Sequence, residues 1–120
     1  MESYFTSKAV VFLEMGDFNP DLTFKYKLTK PMLLMIGGSF CPHCTHAAPD
    51  FNKFALSSKD KMTCAVLQID GSKKEQELGK LISDNIKFRG VPAFLIFNVK
   101  GEFVKIHPDR SIESFENITV

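Results

Sequence analysis

Met32-Leu33-Leu34-Met35-Ile36-Gly37-Gly38-Ser39-Phe40-Cys41-Pro42-His43-Cys44 is the stretch that decides the fold. Its first five residues are an unbroken apolar run between Pro31 and a Gly-Gly pair. That pattern reads as a central strand buried on both faces, punctuated by the glycines. Proline is favoured at the first helical position, so Pro42 sets Cys41 at an N-cap. Downstream, Ala47, Ala48, Phe51, Phe54 and Ala55 recur near 3.6-residue spacing, which predicts a helix from 42 to about 57. Pro49 lies inside it, where it should remove one backbone bond and bend the axis. A strand therefore leads through a glycine turn into a helix whose first turn carries two cysteines.

The chemistry of that pair follows from its position. The first N–H groups of a helix lack internal partners. A thiolate at the N-cap can accept from the His43 or Cys44 N–H and sits at the positive end of the helix dipole. A protonated His43 adds a nearby positive charge. All three favour the anion, so Cys41 is expected to be the nucleophile. Cys44 comes about one turn on, and at ~1.5 Å rise per residue the pair falls within the ~4.4–6.8 Å Cα separation of a disulfide. It lies further inside the helix and is expected to be the less exposed, resolving thiol. Cys41 would attack a substrate disulfide or receive attack on its own, and Cys44 would close or open the mixed intermediate. The spacing alone also fits a metal site. A structural zinc usually takes four ligands, and His46 and Cys64 are the candidates for the other two. His46 is poorly spaced from Cys44, and Cys64 reads as a small apolar core residue. The strand-to-helix context favours redox exchange.

Working outward, Val10-Val11-Phe12-Leu13 reads as a short buried strand. Gly16-Asp17 and Asn19-Pro20 punctuate the chain after it. In residues 21–30, Phe24, Tyr26 and Leu28 alternate with Lys25 and Lys27, which favours an extended stretch. A short helix capped by Asn19 is nearly as well supported. Cys64–Ile69 is the next expected strand, then a polar stretch from Asp70 to Glu75, then a helix from about Glu75 to Ser83. Val91 to Phe97 is a further strand, Lys100-Gly101 a turn, and Phe103 to Ile106 its hairpin partner. Ser111 caps a short final helix with Ile112, Phe115 and Ile118 inward. The order predicts an α/β fold, a central mixed sheet flanked by helices with an antiparallel edge hairpin. No repeat, linker or low-complexity segment interrupts it, so residues 1–120 read as a single domain.

Composition narrows the function classes. At 120 residues folding can bury about 65% of the unfolded chain's surface, enough for a core without disulfide staples. Three cysteines are too few for a disulfide scaffold. A net charge of +1 argues against a nucleic-acid partner held by bulk charge. No apolar run approaches the ~20 residues of a membrane span. Ala9 to Leu13, stopped by Glu14, is shorter than the ~7–15 residues of a signal-peptide core. The expected setting is cytoplasmic, where such a pair is catalytic or metal-binding rather than structural.

These motifs together resemble the thioredoxin superfamily, and within it the protein disulfide isomerase branch. Met32 to Cys44 looks like the family's strand and active-site turn. Pro49 is similar to its helix-kinking proline, with Pro49-Asp50-Phe51 and Ala55 in the isomerase pattern. Ile69-Asp70 falls at its hydrophobic-Asp strand end. Arg89-Gly90-Val91-Pro92 resembles its cis-proline loop, Lys100-Gly101 its hairpin turn, and Arg110-Ser111-Ile112 to Phe115 the arginine and final helix of isomerase domains. The match spans roughly residues 9–118 and implies a thioredoxin fold. By position it implies that Cys41 attacks and Cys44 resolves. It further implies that Val91–Pro92 is cis beside Cys41, where a substrate strand could pair. Arg110 would be a mobile cation favouring the Cys44 thiolate. Phe40 is expected to stay partly exposed to receive substrate.

Three positions depart from the family pattern. Met35 stands where a buried acid usually serves as proton acceptor, Val66 where its lysine partner often lies, and Phe40 where tryptophan usually precedes the first cysteine. The floor beneath Cys44 is therefore expected to be apolar. Pro42-His43 is the central pair of the strongly oxidising thioredoxin-fold enzyme of the bacterial periplasm, whereas reductive thioredoxins carry Gly-Pro and isomerases Gly-His. The expectation is a thiol–disulfide oxidoreductase acting on protein thiols and disulfides, with oxidation or isomerisation favoured over reduction. It would be monomeric, recycled by an oxidase or reductase, and need no metal or organic cofactor. A cytosolic disulfide-forming route of the kind large DNA viruses encode would suit it. The alternative is a redox-regulated, metal-binding or iron–sulfur-binding module without turnover. The Asn117-Ile118-Thr119 sequon is not expected to be used, for want of a secretory signal.

Overall fold

The computed structural model describes residues 9–120, so the first eight residues of the expected single domain lie outside the described residues. Five strands, β1 (Val10–Phe12), β2 (Met32–Gly37), β3 (Thr63–Gln68), β4 (Ala93–Phe97) and β5 (Phe103–His107), form one sheet in the order β1-β3-β2-β4-β5. β1 and β2 flank β3 in parallel, while β4 runs antiparallel to β2 and β5 antiparallel to β4. The helices are α1 (Pro42–Ser57), α2 (Lys73–Asn85) and α3 (Ile112–Glu116). This is the mixed, helix-flanked thioredoxin fold.

β2 is buried along its whole length, because it sits in the middle of the sheet with layers on both faces. On one face Leu33, Met35, Cys64, Val66, Phe94 and Ile96 meet α1 and Phe115 of α3. On the other, Leu34, Ile36, Leu67 and Leu95 meet Leu78 and Ile82 of α2 together with Phe18 and Leu22. Strand alternation sends successive side chains to opposite layers, which is why an unbroken apolar run suits this position.

Several boundaries differ from the sequence reading. β1 is an edge strand: Val10 and the following Leu13 are buried, but Val11 and Phe12 are 50% and 43% exposed, so the expected burial holds only at the two ends of the Val10–Leu13 stretch. Residues 21–30 form neither the extended stretch nor the short helix. A single 3-10 turn at Met15–Asp17 precedes them, and the chain then folds back through a Phe18–Phe24 bridge. Local polar bonds win there: the Asp21 carboxylate accepts from the Thr23 N–H and hydroxyl, and Leu22 N–H donates to Asn19. Leu22 takes a positive φ of 70° and buries its side chain. α2 starts two residues before the expected Glu75, since Ser72 and Glu75 make a reciprocal capping box. β4 starts at Ala93 rather than Val91 because the chain turns at Pro92, which has no N–H to give to a ladder. Gly101 ends the hairpin turn at φ 82°, and a Cβ there would meet the Phe24 backbone.

Candidate active site

The cysteines stand where β2 gives way to α1. Beyond Gly37 the chain makes a turn closed by Cys41 N–H donating to the Gly38 carbonyl at 3.2 Å. Cys41 then caps α1 in extended conformation, with Pro42 in the first turn. The Cys44 N–H donates to the Cys41 sulfur at 3.1 Å, the orphan-donor bond expected at an N-cap. The two residues are joined as a disulfide with Cα atoms 5.2 Å apart. Cys41 is 6% exposed and Cys44 0%, so Cys41 carries the reachable sulfur.

Cys44 packs into the core layer that holds Met35, Val66 and Phe94, and Met35 and Val66 are themselves fully buried. The floor beneath the pair is therefore apolar, as the sequence suggested. The Val91–Pro92 peptide is cis. The Val91 carbonyl oxygen lies 3.6 Å from the Cys41 sulfur, within reach of the thiol as donor when the pair is reduced. Phe40, at 64%, is among the most exposed large apolar side chains. Pro42 and His43 are exposed beside it, and His46 is exposed one turn further along.

Arg110 follows β5 in the chain, just before α3. It is exposed and lines a cleft of about 320 Å³ with Pro92, Phe94, His107, Pro108 and Asp109. Among the described residues no hydrogen bond or ion pair joins it to either cysteine. It thus shares a wall with the cis proline. His107 lies in the same cleft, bonded to the Ser114 hydroxyl at 3.0 Å and stacked near Phe115. Burial, opposed by Asp109 and reinforced by Lys105, holds its imidazole below the usual histidine range.

Cys64 is buried on β3, and burial pushes its thiol up to about 12 despite a bond from Ser58. It stays protonated and inert at neutral pH. Among the described residues no three His, Cys, Asp or Glu side chains gather where they could hold a metal. No described helix is long and apolar enough to cross a membrane.

One contact at the site escaped the sequence reading. Ser39 donates its backbone N–H to Asp70 Oδ1 at 3.1 Å and Oδ2 at 3.3 Å, and its hydroxyl to Oδ2. Burial alone would raise the Asp70 carboxyl. The bonds from Ser39 and from the Gln68 side chain outweigh it and hold the group below the ordinary carboxylate range. The only signal in the sequence was a hydroxyl in a Gly-Gly-Ser turn and an acid just past a strand, 31 residues apart.

The family model described as Thioredoxin matches residues 10–118. Thioredoxin-like protein 453L of Invertebrate iridescent virus 6 is 32% identical over 134 aligned residues, covering 97% of this chain and 95% of its own. The chloroplastic thioredoxin-like protein HCF164 of Arabidopsis thaliana is 32% identical over 72 residues, which span 60% of this chain and 26% of its own. Among solved structures, thioredoxin f from spinach chloroplast aligns with a TM-score of 0.64 at 20% identity, covering 97% of this chain and 93% of that one. The Trx4 domain of ERdj5 aligns at 0.65 with 14% identity, covering 90% of each. The two structural likenesses concern the fold.

Proposed function

The chain belongs to the thioredoxin family, and from that premise we propose that it exchanges disulfides with protein substrates through Cys41 and Cys44, favouring oxidation or isomerisation over reduction. The observation that carries this reading is the asymmetry of the pair. One sulfur sits at a helix N-cap, accepting from Cys44 N–H and bordering the Val91 carbonyl, while the other is sealed in an apolar layer.

In the oxidising direction a substrate thiolate attacks the Cys41 sulfur. The Cys41–Cys44 bond breaks, and Cys44 leaves with the electron pair and takes up a proton. A second substrate thiolate then attacks the substrate sulfur of the mixed disulfide, and Cys41 leaves as thiolate. Two substrate thiols become one disulfide, and two electrons reside on the reduced pair until a recycling oxidase removes them. The helix terminus and the Cys44 N–H stabilise the departing Cys41 anion. A stabilised reduced form makes the disulfide the stronger oxidant, which supports the oxidising direction. Phe40 supplies exposed apolar surface beside the sulfur, and Val91 and Pro92 offer backbone for an extended substrate segment. His43 and Arg110 are the cations of this reading. The electrons stay on sulfur, so no metal or organic cofactor enters it, and it keeps a cytoplasmic, monomeric setting.

The apolar floor at Met35 and Val66 favours a second reading, a redox-regulated binding module without turnover. The deciding experiment is the equilibrium of the pair in graded glutathione buffers, read by thiol trapping. A potential of about −120 to −180 mV is expected for an oxidant or isomerase. A value near about −270 mV would overturn the direction and place the protein with reductants. Absence of a two-electron couple would overturn exchange altogether.

A further inference from the structure

We propose that Asp70, acting through Ser39, is the positioning residue of the active-site turn, holding Gly38–Cys41 in the conformation that presents Phe40 and the Cys41 sulfur to substrate. The inference deepens the exchange reading and rests on it.

β2 and β3 run in parallel register up to Gly37 opposite Gln68, and Ile69 N–H then donates to the Gly37 carbonyl at 2.9 Å. There the two chains part, β2 entering the Gly38–Cys41 turn and β3 entering the loop before α2. Asp70 is the next residue past that rung. Its carboxylate accepts both the N–H and the hydroxyl of Ser39, so it continues the tie between the chains after the backbone ladder has ended. The Gln68 side chain donates to the same carboxylate, and Gln68 is buried, so the acid is braced from within the fold.

Ser39 is the second residue of the turn that the Cys41 N–H closes onto Gly38. Fixing its N–H and hydroxyl together fixes the rotation of that turn. Two functional features depend on the rotation. A Cβ at Gly38 would collide with the Phe40 ring, so the ring lies across the Gly38 backbone and turns with it. The N-cap geometry of Cys41, and with it the Cys44 N–H bond to sulfur, begins where the turn ends. Displacing a reacting group by a fraction of an ångström is costly in rate.

The test is a double-mutant cycle. Ser39→Ala, Asp70→Asn and the double variant are assayed for insulin-disulfide turnover beside the unaltered protein, with Ser39→Thr as the conservative control. Each single change is expected to lower kcat/KM about tenfold. The double variant should be no slower than either single, and Ser39→Thr should stay within about twofold of the unaltered protein. Additive losses would overturn the proposal. So would unchanged kcat/KM, failure of Ser39→Thr to rescue, or losses only as large as a drop in melting temperature accounts for. If the unaltered protein turns over no insulin and also forms no two-electron couple with glutathione, the exchange reading fails separately. The clamp is then read on reduced protein by the rate at which Cys41 takes up iodoacetamide at pH 7. That rate is expected to fall about fivefold in Ser39→Ala and in Asp70→Asn alike, and equal rates in all variants would overturn the clamp.

Discussion

Replacing Phe115 by Ala tests whether α3 is held to the sheet as described. α3 is five residues long and Phe115 is its one buried residue. Helices this short have little intrinsic stability, so docking rests on that ring. Its centroid lies 4.9 Å from Phe94, 5.5 Å from Phe54, 5.9 Å from Phe51 and 5.5 Å from the His107 ring, and the residue is 1% exposed. Truncation removes the transfer free energy of the ring and leaves a void bounded by three phenylalanines on the rigid sheet and α1. Phe→Ala at such sites costs about 3–5 kcal/mol, and here the aromatic neighbours place the expected loss in that range. Unfolding entropy of roughly 2.1 cal/mol/K per residue over 120 residues gives about 4 °C per kcal/mol, so the melting temperature should fall by about 12–20 °C. The chain has no Trp, so urea unfolding is tracked by far-UV circular dichroism. A loss below about 1 kcal/mol at unchanged denaturant slope would refute the packing argument, because it would mean that α3 does not close the core layer beneath the cysteines.

Cys41→Ser should abolish insulin-disulfide turnover, whereas Cys44→Ala should accumulate mixed disulfides on Cys41, seen as mass adducts removed by reductant. Turnover in Cys41→Ser would remove that residue from the chemistry. Reduced native protein should take up alkylating agent at one thiol at pH 8, that of Cys41, and at the buried Cys44 and Cys64 only on denaturation. The burial that pushes Cys64 up to about 12 also predicts a pH dependence of stability. That residue's contribution is complete below the ordinary thiol range near pH 9 and is lost as pH rises toward 12, which alkaline melts of the protein and Cys64→Ala should distinguish. His107 gives the opposite slope on the acid side, since its folded value lies below 6.5. Its contribution is complete above that value and is lost as pH falls through the depressed one. His107→Asn should therefore flatten the melting-temperature profile below about pH 6.5, and an unchanged profile would refute the assignment.

The elements legible in the sequence were those whose causes are local. Pro42 and the orphan N–H groups of a first turn put Cys41 at the N-cap, and the structure shows the Cys44 N–H on its sulfur. Ser111 caps α3 as its side chain allows. The apolar run of β2 and the spacing of α1 state their burial in their own periodicity. Ser72 is as local a signal, a capping box with Glu75, but the polar stretch around it masks the start of α2.

What the chain could not declare residue by residue was set by neighbours brought from far away. Val11 and Phe12 have the pattern of a buried strand, yet β1 lies at the sheet edge, and edge position is decided by strand order. Residues 21–30 obey an Asp-Thr-Asn set of polar bonds and the burial of Leu22, which outweigh a weak alternation. The approach of the Val91 carbonyl to Cys41 spans 50 residues, the Asp70–Ser39 tie spans 31, and Arg110 joins Pro92 through the β5 hairpin. Hydrogen bonds and caps within one turn arise from backbone geometry, so the sequence determines them alone. Contacts across the sheet exist only after hydrophobic burial has chosen which strands are neighbours, so the surroundings of the two sulfurs were decided by the tertiary fold.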